Sequence, residues 1–520
     1  GLNKKKFYEI PSRLQAINTA IFKLESGDVL LVVGKGHENY QEYKYKSFFS
    51  DKLEILKSIK NRNKILSNSI KTNILNETLG NNLINKNNIL RHASVNSKKI
   101  NKNSVFFGVK GKRFDGNKFA NDAINNGAVL AISNQKFKKS KIVFSKNPLS
   151  LFNNVSSKLR KSLKNITVAI TGSAGKTSVK ELAGFCMNKL EKTYFSKNSF
   201  NNKIGVPLSI FNTPENSKFV VLEVGMDKKG EIDHLTRLIK PNLGLITNIS
   251  YAHIKNFNNL NQIAKAKSEI INNIIDGGTM VLNMDDRYYK YFLKKSNKRK
   301  LKVLTFSKSN LNADIVFLSK KKFKKNYLIN IKINQTKKTF LVSKYLSNYI
   351  ENILASLCVI ITYFDINKLD HNLFLGFHIP ESRGSLIKLK KRSKNITIID
   401  ESYNSNPLSL KFALERYDSL YKKKSNKFLL IGEMLELGKF SKKLHVKIAK
   451  YINKSKVNKI YVYGDQIKHT FNKLKPQIKG RILKNKMDIC KLINNDLPNN
   501  SFLMVKGSNS TGLNKIIQDL

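Results

Sequence analysis

Residues 165–181 read NITVAITGSAGKTSVKE: a β-branched apolar run, a glycine-containing turn closing on Gly-Lys-Thr, and the opening of a helix. Ile166 to Ile170 has the composition of a buried strand. A strand that enters a helix through such a turn aims the helix's N-terminal amides at anionic oxygens. Gly172 and Gly175 allow the tight backbone, so Gly172, Ser173, Ala174, Gly175, Lys176, Thr177 and Ser178 form a candidate ATP phosphate site. In it Lys176 would face the β- and γ-phosphates and Thr177 would hold Mg2+. Only two residues separate Gly172 from Gly175-Lys176-Thr177, a shorter loop than the common GxxxxGK[ST] spacing. The alternative, an ordinary turn with an incidental lysine, leaves the flanking strand and helix unexplained.

Around this loop, the strands ITVAI, FVVLEVG and LGLITNI alternate with helical segments over residues 161–378. That alternation predicts a central ATP-binding domain with a parallel sheet covered on both faces. Lysine-rich, hairpin-like strands near 313–342 read as a β insertion within it. A last α/β domain is expected over 379–520, from the strands NITIID, KFLLIG, KIYVYG and SFLMVKG. Upstream, 89–160 reads as a small α/β domain with the strand SVFFGVKG, the loop KRFDGNKF, the helix ANDAINNGA and the strand AVLAIS. Residues 61–88 are Asn/Lys-rich and weakly patterned, which reads as linker. Residues 1–60 contain a helix, SRLQAINTAIFKL, a strand and loop, GDVLLVVGKGHENYQ, and a second helix, SDKLEILKSIK. They look like the end of a domain without its beginning, and position 1 is Gly rather than Met.

A chain of 520 residues, 41% of them hydrophobic, is long enough for several cores. Its 95 Lys+Arg against 36 Asp+Glu give a net charge of +59. The charge is diffuse, however, and accompanies abundant Asn and Ile, as AT-rich codon usage produces. No basic helix with interleaved aromatics stands out, so no nucleic-acid partner is expected. A basic surface would still attract a polyanion such as a nucleotide sugar. Cys186, Cys358 and Cys490 lie far apart without CxxC spacing, which argues against zinc and disulfides and suits a reducing compartment. The longest apolar run, Ile353 to Phe364, is shorter than the about 20 residues of a membrane span. No signal peptide precedes the first domain, so a cytoplasmic protein without membrane insertion is expected.

Downstream of the loop come NSFNNKIGVPLSI (198–210), VVLEVGMDKKGEIDHL (220–235), ITNISYAHIKNF (246–257), IAKAKSEI (263–270) and VLNMDD (281–286). In this order, with ESRGSL (381–386), IIDESYNSNP (398–407), GEMLELGKFSKKLH (432–445) and VKGSNSTGL (505–513), the chain resembles the Mur ligase superfamily from about residue 89 to its C-terminus. The resemblance implies an α/β fold of three domains, with a central P-loop parallel sheet and a C-terminal Rossmann-like domain. Here an N-terminal α/β remnant would precede them. It further implies an ADP-forming ligase that uses ATP and Mg2+ to join D-alanyl-D-alanine to UDP-N-acetylmuramoyl-tripeptide through an acyl phosphate, acting as a monomer in peptidoglycan precursor synthesis. Two other readings are a relative such as folylpolyglutamate synthase, against which KGKRFDG (110–116) and DESYNSNP (400–407) argue, and a basic nucleic-acid-binding protein with a degenerate ATPase core.

Residue by residue, the resemblance makes Glu223 and His253 metal ligands with Thr177. It makes Lys267 the lysine that the superfamily carries as a carbamate, a solvated surface lysine being the alternative for both Lys267 and its neighbour Lys265. Arg383 resembles the arginine that reaches from the last domain to the γ-phosphate. Lys176, Lys267, Arg383 and Glu401 are thus the candidate catalytic set. Asp400 and Glu401 stand where the family carries two aspartates, so Glu401 is a departure. Asn352 matches the last asparagine of an adenine-contacting GxHNxxN segment, whose His-Asn pair is here Asn348-Tyr349. Candidate substrate contacts are Asn201, Asn202 and Asp400, with Ser97, Lys110, Arg113 and Asp115 for the uridine diphosphate, although D[ST]R is replaced by Asn96-Ser97-Lys98. Residues 1–60 are similar instead to the tail of the ligase that adds the preceding amino acid. There GKGHE supplies Gly34 and Glu38 to the amino-acid site, so a fusion of two consecutive ligases, truncated at its N-terminal side, is expected.

Overall fold

The computed structural model describes residues 9–24, 28–34, 40–42, 46–67, 70–80, 84, 90–111, 114–196, 199–391, 394–420 and 426–519. The chain forms two compact units, one of residues 1–163 with 210–214 and the other of 164–209 with 215–520.

The second unit carries the phosphate loop. Among the described residues its larger sheet has nine strands, in the order Thr336–Ser343, Asn326–Ile333, Ile315–Phe323, Lys302–Ser307, Thr279–Asn283, Leu243–Ile246, Ile166–Thr171, Phe219–Glu223 and Thr193–Phe195. Ile166–Thr171 lies inside the sheet, parallel to Leu243–Ile246 on one side and Phe219–Glu223 on the other. Its residues from Thr167 to Thr171 are all buried, on both faces alike, which explains an unbroken apolar run rather than an alternating one. The expected β insertion is a continuation of this sheet. Ile315–Phe323 pairs parallel with Lys302–Ser307 and then turns into an antiparallel meander.

The longest apolar run forms the helix Ile350–Ile361, which lies against the helix Lys176–Leu190. Ile353, Leu354, Leu357, Val359 and Ile360 are fully buried, each contributing about 1.5–3 kcal/mol relative to exposure. Among the described residues no helix is long and apolar enough to cross a membrane.

The smaller sheet of this unit runs Ser385–Lys391, Lys394–Glu401, Ser501–Lys506, Lys427–Gly432, Lys459–Tyr463 and Lys479–Leu483. All its pairings are parallel except the first. The two outermost strands, SLIKLKK and KGRIL, are absent from the sequence reading. Edge strands are half solvated and charge-rich, which hides them from a search for buried apolar runs.

The first unit holds a four-stranded parallel sheet, His92–Ser94, Ser104–Phe107, Leu130–Ser133 and Ile142–Phe144. Phe107 stacks on Phe152 of the helix Pro148–Ser162 with ring centroids 4.2 Å apart. Two expectations change here. The stretch 61–88 contains the end of a helix, Asp51–Ser67, and another, Ile70–Leu79. The latter buries Ile74 and Leu75 and packs on Pro148–Ser162, a helical spacing obscured by the intervening Asn and Lys. Residues 28–33 were expected to be a strand but form none, and Val29 and Leu31 are 93% and 80% exposed. A lone extended segment has no ladder to join, and none of the described strands pairs with it.

Candidate active site

The phosphate loop is shaped by close backbone approach. Gly172 has φ +147°, and a Cβ there would stand 1.8 Å from Thr247 Oγ1. Gly175, with φ +83°, turns the chain into the helix Lys176–Leu190. The end of the neighbouring strand cradles the loop. Thr247 Oγ1 donates to the Ala174 carbonyl at 2.6 Å, Asn248 Oδ1 accepts the Ala174 N–H at 2.9 Å, and Ser173 Oγ donates to the Ser250 carbonyl at 3.0 Å. Thr247, Asn248 and Ser250 lie in the stretch ITNISYAHIKNF, but the sequence reading gave them no role. Their signal was a run of small polar residues directly after a buried strand.

Lys176 Nζ donates to the Gly172 carbonyl at 2.9 Å. Burial, with Arg383 nearby, holds its pKa below the usual lysine value against the pull of Glu223 and Glu436. Thr177 Oγ1 donates to Glu223 Oε2 at 2.5 Å and lies 3.2 Å from Ser199 Oγ. Glu223, only 1% exposed, also accepts from Asn201 Nδ2 at 2.7 Å. A buried carboxylate whose hydrogen-bond partners are a hydroxyl and an amide offers hard oxygen ligands, and the residues present suit Mg2+.

His253 takes a left-handed backbone, φ +58°. Its Nδ1 lies 3.0 Å from Asp227 Oδ1 and 2.6 Å from Glu436 Oε2, without hydrogen-bond geometry to either. Burial alone would lower the imidazole pKa, but these two carboxylates outweigh it and hold it above the ordinary value. Asp227 and Glu436 thus join His253 in a cluster that sequence spacing did not bring together.

Lys267 and Lys265 part company. Lys265 is exposed, whereas Lys267 ends the helix Leu260–Lys267 at 1% exposure. Burial, reinforced by Lys176, drives the Lys267 amine well below the usual lysine pKa.

From the turn that leads into the smaller sheet, Arg383 Nη2 crosses to donate to Ser199 Oγ at 2.8 Å, and its guanidinium lies 4.0 Å over the Tyr403 ring. Glu401 accepts from Arg416 Nη2 at 2.6 Å and has Lys506 Nζ 3.7 Å from its other oxygen. Burial would raise its pKa, but Arg416 and Lys506 bring it below the usual carboxylate value. Lys506 is itself pushed down to about 8 by burial. Arg416 and Lys506 were not foreseen: Arg416 stands on the helix that follows the strand of Glu401, and Lys506 on a strand about a hundred residues further on.

Asp400 departs from the expected substrate contact. It is 3% exposed and engaged inside its own loop, one oxygen accepting from Ser382 Oγ and the other from Ser402 N and Oγ. Asn202 Oδ1 likewise accepts the backbone N–H groups of Ile204 and Gly205.

The phosphate loop, Ser199, Asn201, Asn202, Glu223, His253, Asn352, Arg383, Glu401, Arg416 and Lys506 line one cavity of about 660 Å3. Asn352 Oδ1 would be 3.1 Å from a Cβ on Gly175, which sets it against the loop. Asn348 accepts from Lys320 Nζ at 2.8 Å and Ser419 Oγ at 3.1 Å on the same cavity wall.

In the first unit, Asp115 caps the short helix Gly116–Phe119 by accepting from Asn117 N and bridges in the backbone to the exposed Lys110. Ser97 is buried and its carbonyl accepts from Asn126 Nδ2 at 2.9 Å. Arg113 and Glu38 lie outside the described residues. Gly34 has φ +118° and sits beside the guanidinium of Arg13, which donates to the Val33 carbonyl at 3.0 Å.

A glycine-shaped phosphate loop, a carboxylate-lined cavity and an arginine from the segment that leads into a second sheet define an α/β nucleotide-binding enzyme. Comparison with known proteins narrows that class. Three family models match in succession: the Mur ligase family catalytic domain over 90–172, the Mur ligase middle domain over 170–360, and the Mur ligase glutamate ligase domain over 387–509. The UDP-N-acetylmuramoyl-tripeptide--D-alanyl-D-alanine ligase of Buchnera aphidicola is 30% identical over 440 residues, 82% of this chain and 91% of the relative. That of Rickettsia prowazekii is 29% identical over 429 residues, 81% of this chain and 93% of the relative. Among solved structures, MurF from Acinetobacter baumannii superposes with a TM-score of 0.73 at 19% identity, covering 86% of this chain and 98% of that one. MurF ligase from Thermotoga maritima, in complex with ADP, gives 0.68 at 22% identity, covering 82% and 96%. The chain belongs to the Mur ligase family.

Proposed function

We propose that this chain joins D-alanyl-D-alanine to UDP-N-acetylmuramoyl-tripeptide at the expense of ATP, in peptidoglycan precursor synthesis. The observation that carries the reading is the single cavity in which the phosphate loop faces Arg383 from the other domain. The relatives named for this reaction are matched along more than nine-tenths of their length.

Amide formation from a carboxylate requires activation. An oxygen of the tripeptide's terminal carboxylate attacks the γ-phosphorus, the bond to the bridging oxygen breaks, and ADP departs with its electron pair. The amine of D-alanyl-D-alanine then adds to the acyl carbon, loses a proton and expels phosphate. The protein's part is alignment and charge neutralisation. Lys176 and Arg383 approach the γ-phosphate from opposite domains, and the planar guanidinium suits a phosphoryl group with spreading charge.

Thr177, Glu223 and His253 would hold Mg2+, which supplies further neutralisation of the phosphates. Burial favours the neutral form of the Lys267 amine, the form that adds to CO2 and loses a proton to give a carbamate anion. Glu401 anchors Arg416 and Lys506 beside Arg383. Asn352 contributes to the nucleotide pocket, and Asn201 and Asn202 to substrate placement. Ser97, Lys110, Arg113 and Asp115 are assigned to the uridine diphosphate. The enzyme is read as a cytoplasmic monomer, with residues 1–60, including Gly34 and Glu38, as the remnant of a preceding ligase.

Phosphate release from ATP, measured with UDP-N-acetylmuramoyl-tripeptide and with or without D-alanyl-D-alanine, tests the reading. Release coupled to a pentapeptide product is the expected result. Release indifferent to both substrates would overturn it.

A further inference from the structure

Tyr349 precedes the helix Ile350–Ile361 and belongs to the domain of the larger sheet. Its hydroxyl donates to the carbonyl of Arg383, in the other domain, at 3.0 Å. Residue 384 makes this approach possible. Gly384 has φ +109°, and a Cβ there would stand 2.2 Å from the Tyr349 hydroxyl. The phenol ring is itself fixed, with the Arg416 guanidinium 4.4 Å above it and anchored to Glu401 at 2.6 Å. Burial holds the hydroxyl in its protonated, donating form, with its pKa pushed up to about 12.

Arg383 is thereby gripped at both ends by the opposite domain. Tyr349 takes its carbonyl and Ser199 takes its guanidinium, and Ser199 in turn lies 3.2 Å from Thr177 Oγ1 in the phosphate loop. An arginine side chain is long, and a misplacement of about 1 Å at a reacting centre can cost on the order of 100-fold in rate. A bond to the backbone of the same residue limits where that side chain can reach.

We propose that Tyr349 is a positioning residue for phosphoryl transfer, its hydroxyl holding the Arg383 carbonyl across the domain junction so that the guanidinium meets the γ-phosphate above the loop. The proposal rests on the reading of this cavity as the ATP site of a ligase. Tyr349 acts through Arg383 and touches no reacting atom.

The test is a double-mutant cycle in the full chain: wild type, Tyr349→Phe, Arg383→Ala and the pair together. Tyr349→Phe keeps the ring under Arg416 and removes one hydroxyl. Its kcat is expected to fall about 10-fold, with KM for ATP within about twofold, the signature of an interaction realised in the transition state. In the Arg383→Ala background the same change is expected to cost nothing further. An unchanged kcat in Tyr349→Phe overturns the proposal, as does an equal fall in both backgrounds. A raised KM with kcat intact also overturns it, marking Tyr349 as a nucleotide-binding residue instead. An inactive wild type would sink the ligase reading itself, a failure distinct from an active wild type with a kinetically silent Tyr349→Phe.

Discussion

Lys265 and Lys267 stand two residues apart on one helix, and solvent separates their chemistry. A helix turns about 200° over two residues, so the first meets water and the second is closed off, where a charged amine is costly and a neutral, nucleophilic one is favoured. Lys267→Ala is expected to lower ligation by about 10²-fold or more, on the scale of losing a preorganised charge from an active site. Short carboxylates added to the assay should restore part of it by substituting for the carbamate anion. Lys265→Ala should be nearly silent, and the reverse pattern would show that the exposed lysine is the functional one. Lys506 carries a pH prediction. Its folded pKa of about 8 lies below the ordinary lysine value of 10.5, so between those values the folded chain binds fewer protons than the unfolded one. Stability contributed by this group therefore rises with pH across that window. Thermal melts of wild type compared with Lys506→Met should show wild type gaining between pH 8 and 10.5; parallel curves would remove the assignment. Of these residues the sequence brought out Lys176 and Thr177 through the spacing of the loop, and Lys267 only through the resemblance, with a surface lysine as its alternative. It concealed Lys506, because its meeting with Glu401 depends on the order of strands in a sheet, and Arg416, because its helix must fold back over the strand that carries Glu401.

At the level of elements, the phosphate loop is a contact between two adjacent strand ends, Ile166–Thr171 and Leu243–Ile246, and at Gly172 the room is taken by Thr247. Gly172→Ala forces a Cβ into Thr247 in a backbone conformation that side chains seldom adopt. The loss should exceed about 1 kcal/mol of stability, with ATP affinity falling alongside it. Calorimetry and nucleotide titration on the purified variant measure both, and a variant with wild-type Tm and ATP affinity would show that the loop tolerates a side chain there. Interior strands were legible, since burial on both faces leaves unbroken apolar runs such as ITVAI and KFLLIG. The edge strands Ser385–Lys391 and Lys479–Leu483 were not, and neither was the helix Ile70–Leu79, whose few apolar positions sit among Asn and Lys. The segment 28–33 failed the other way, because β-branched composition describes a strand only when a neighbour supplies the ladder.

At the scale of the molecule, the family match begins at residue 90, and the helices Arg13–Lys23 and Asp51–Ser67 lie ahead of it. These two helices pack on each other. Arg13 pairs with Asp51 at 2.5 Å, and Arg62 donates to the Leu24 carbonyl at 2.6 Å. None of the side chains assigned to phosphate transfer comes from this pair; they lie in the second unit, from Gly172 to Lys506. The helix Asp51–Ser67 also moves the natural cut away from residue 60, where a break would fall inside the helix. Removing residues 1–69 is therefore expected to leave kcat/KM for ATP, UDP-N-acetylmuramoyl-tripeptide and D-alanyl-D-alanine within about threefold, a change under ~1 kcal/mol. Val29 and Leu31 would leave with it, so solubility should hold or improve as exposed apolar surface is removed. A folded, truncated chain with greatly reduced turnover would instead mean that Gly34 and its neighbours serve this reaction, and the reading of residues 1–60 as a remnant would fall.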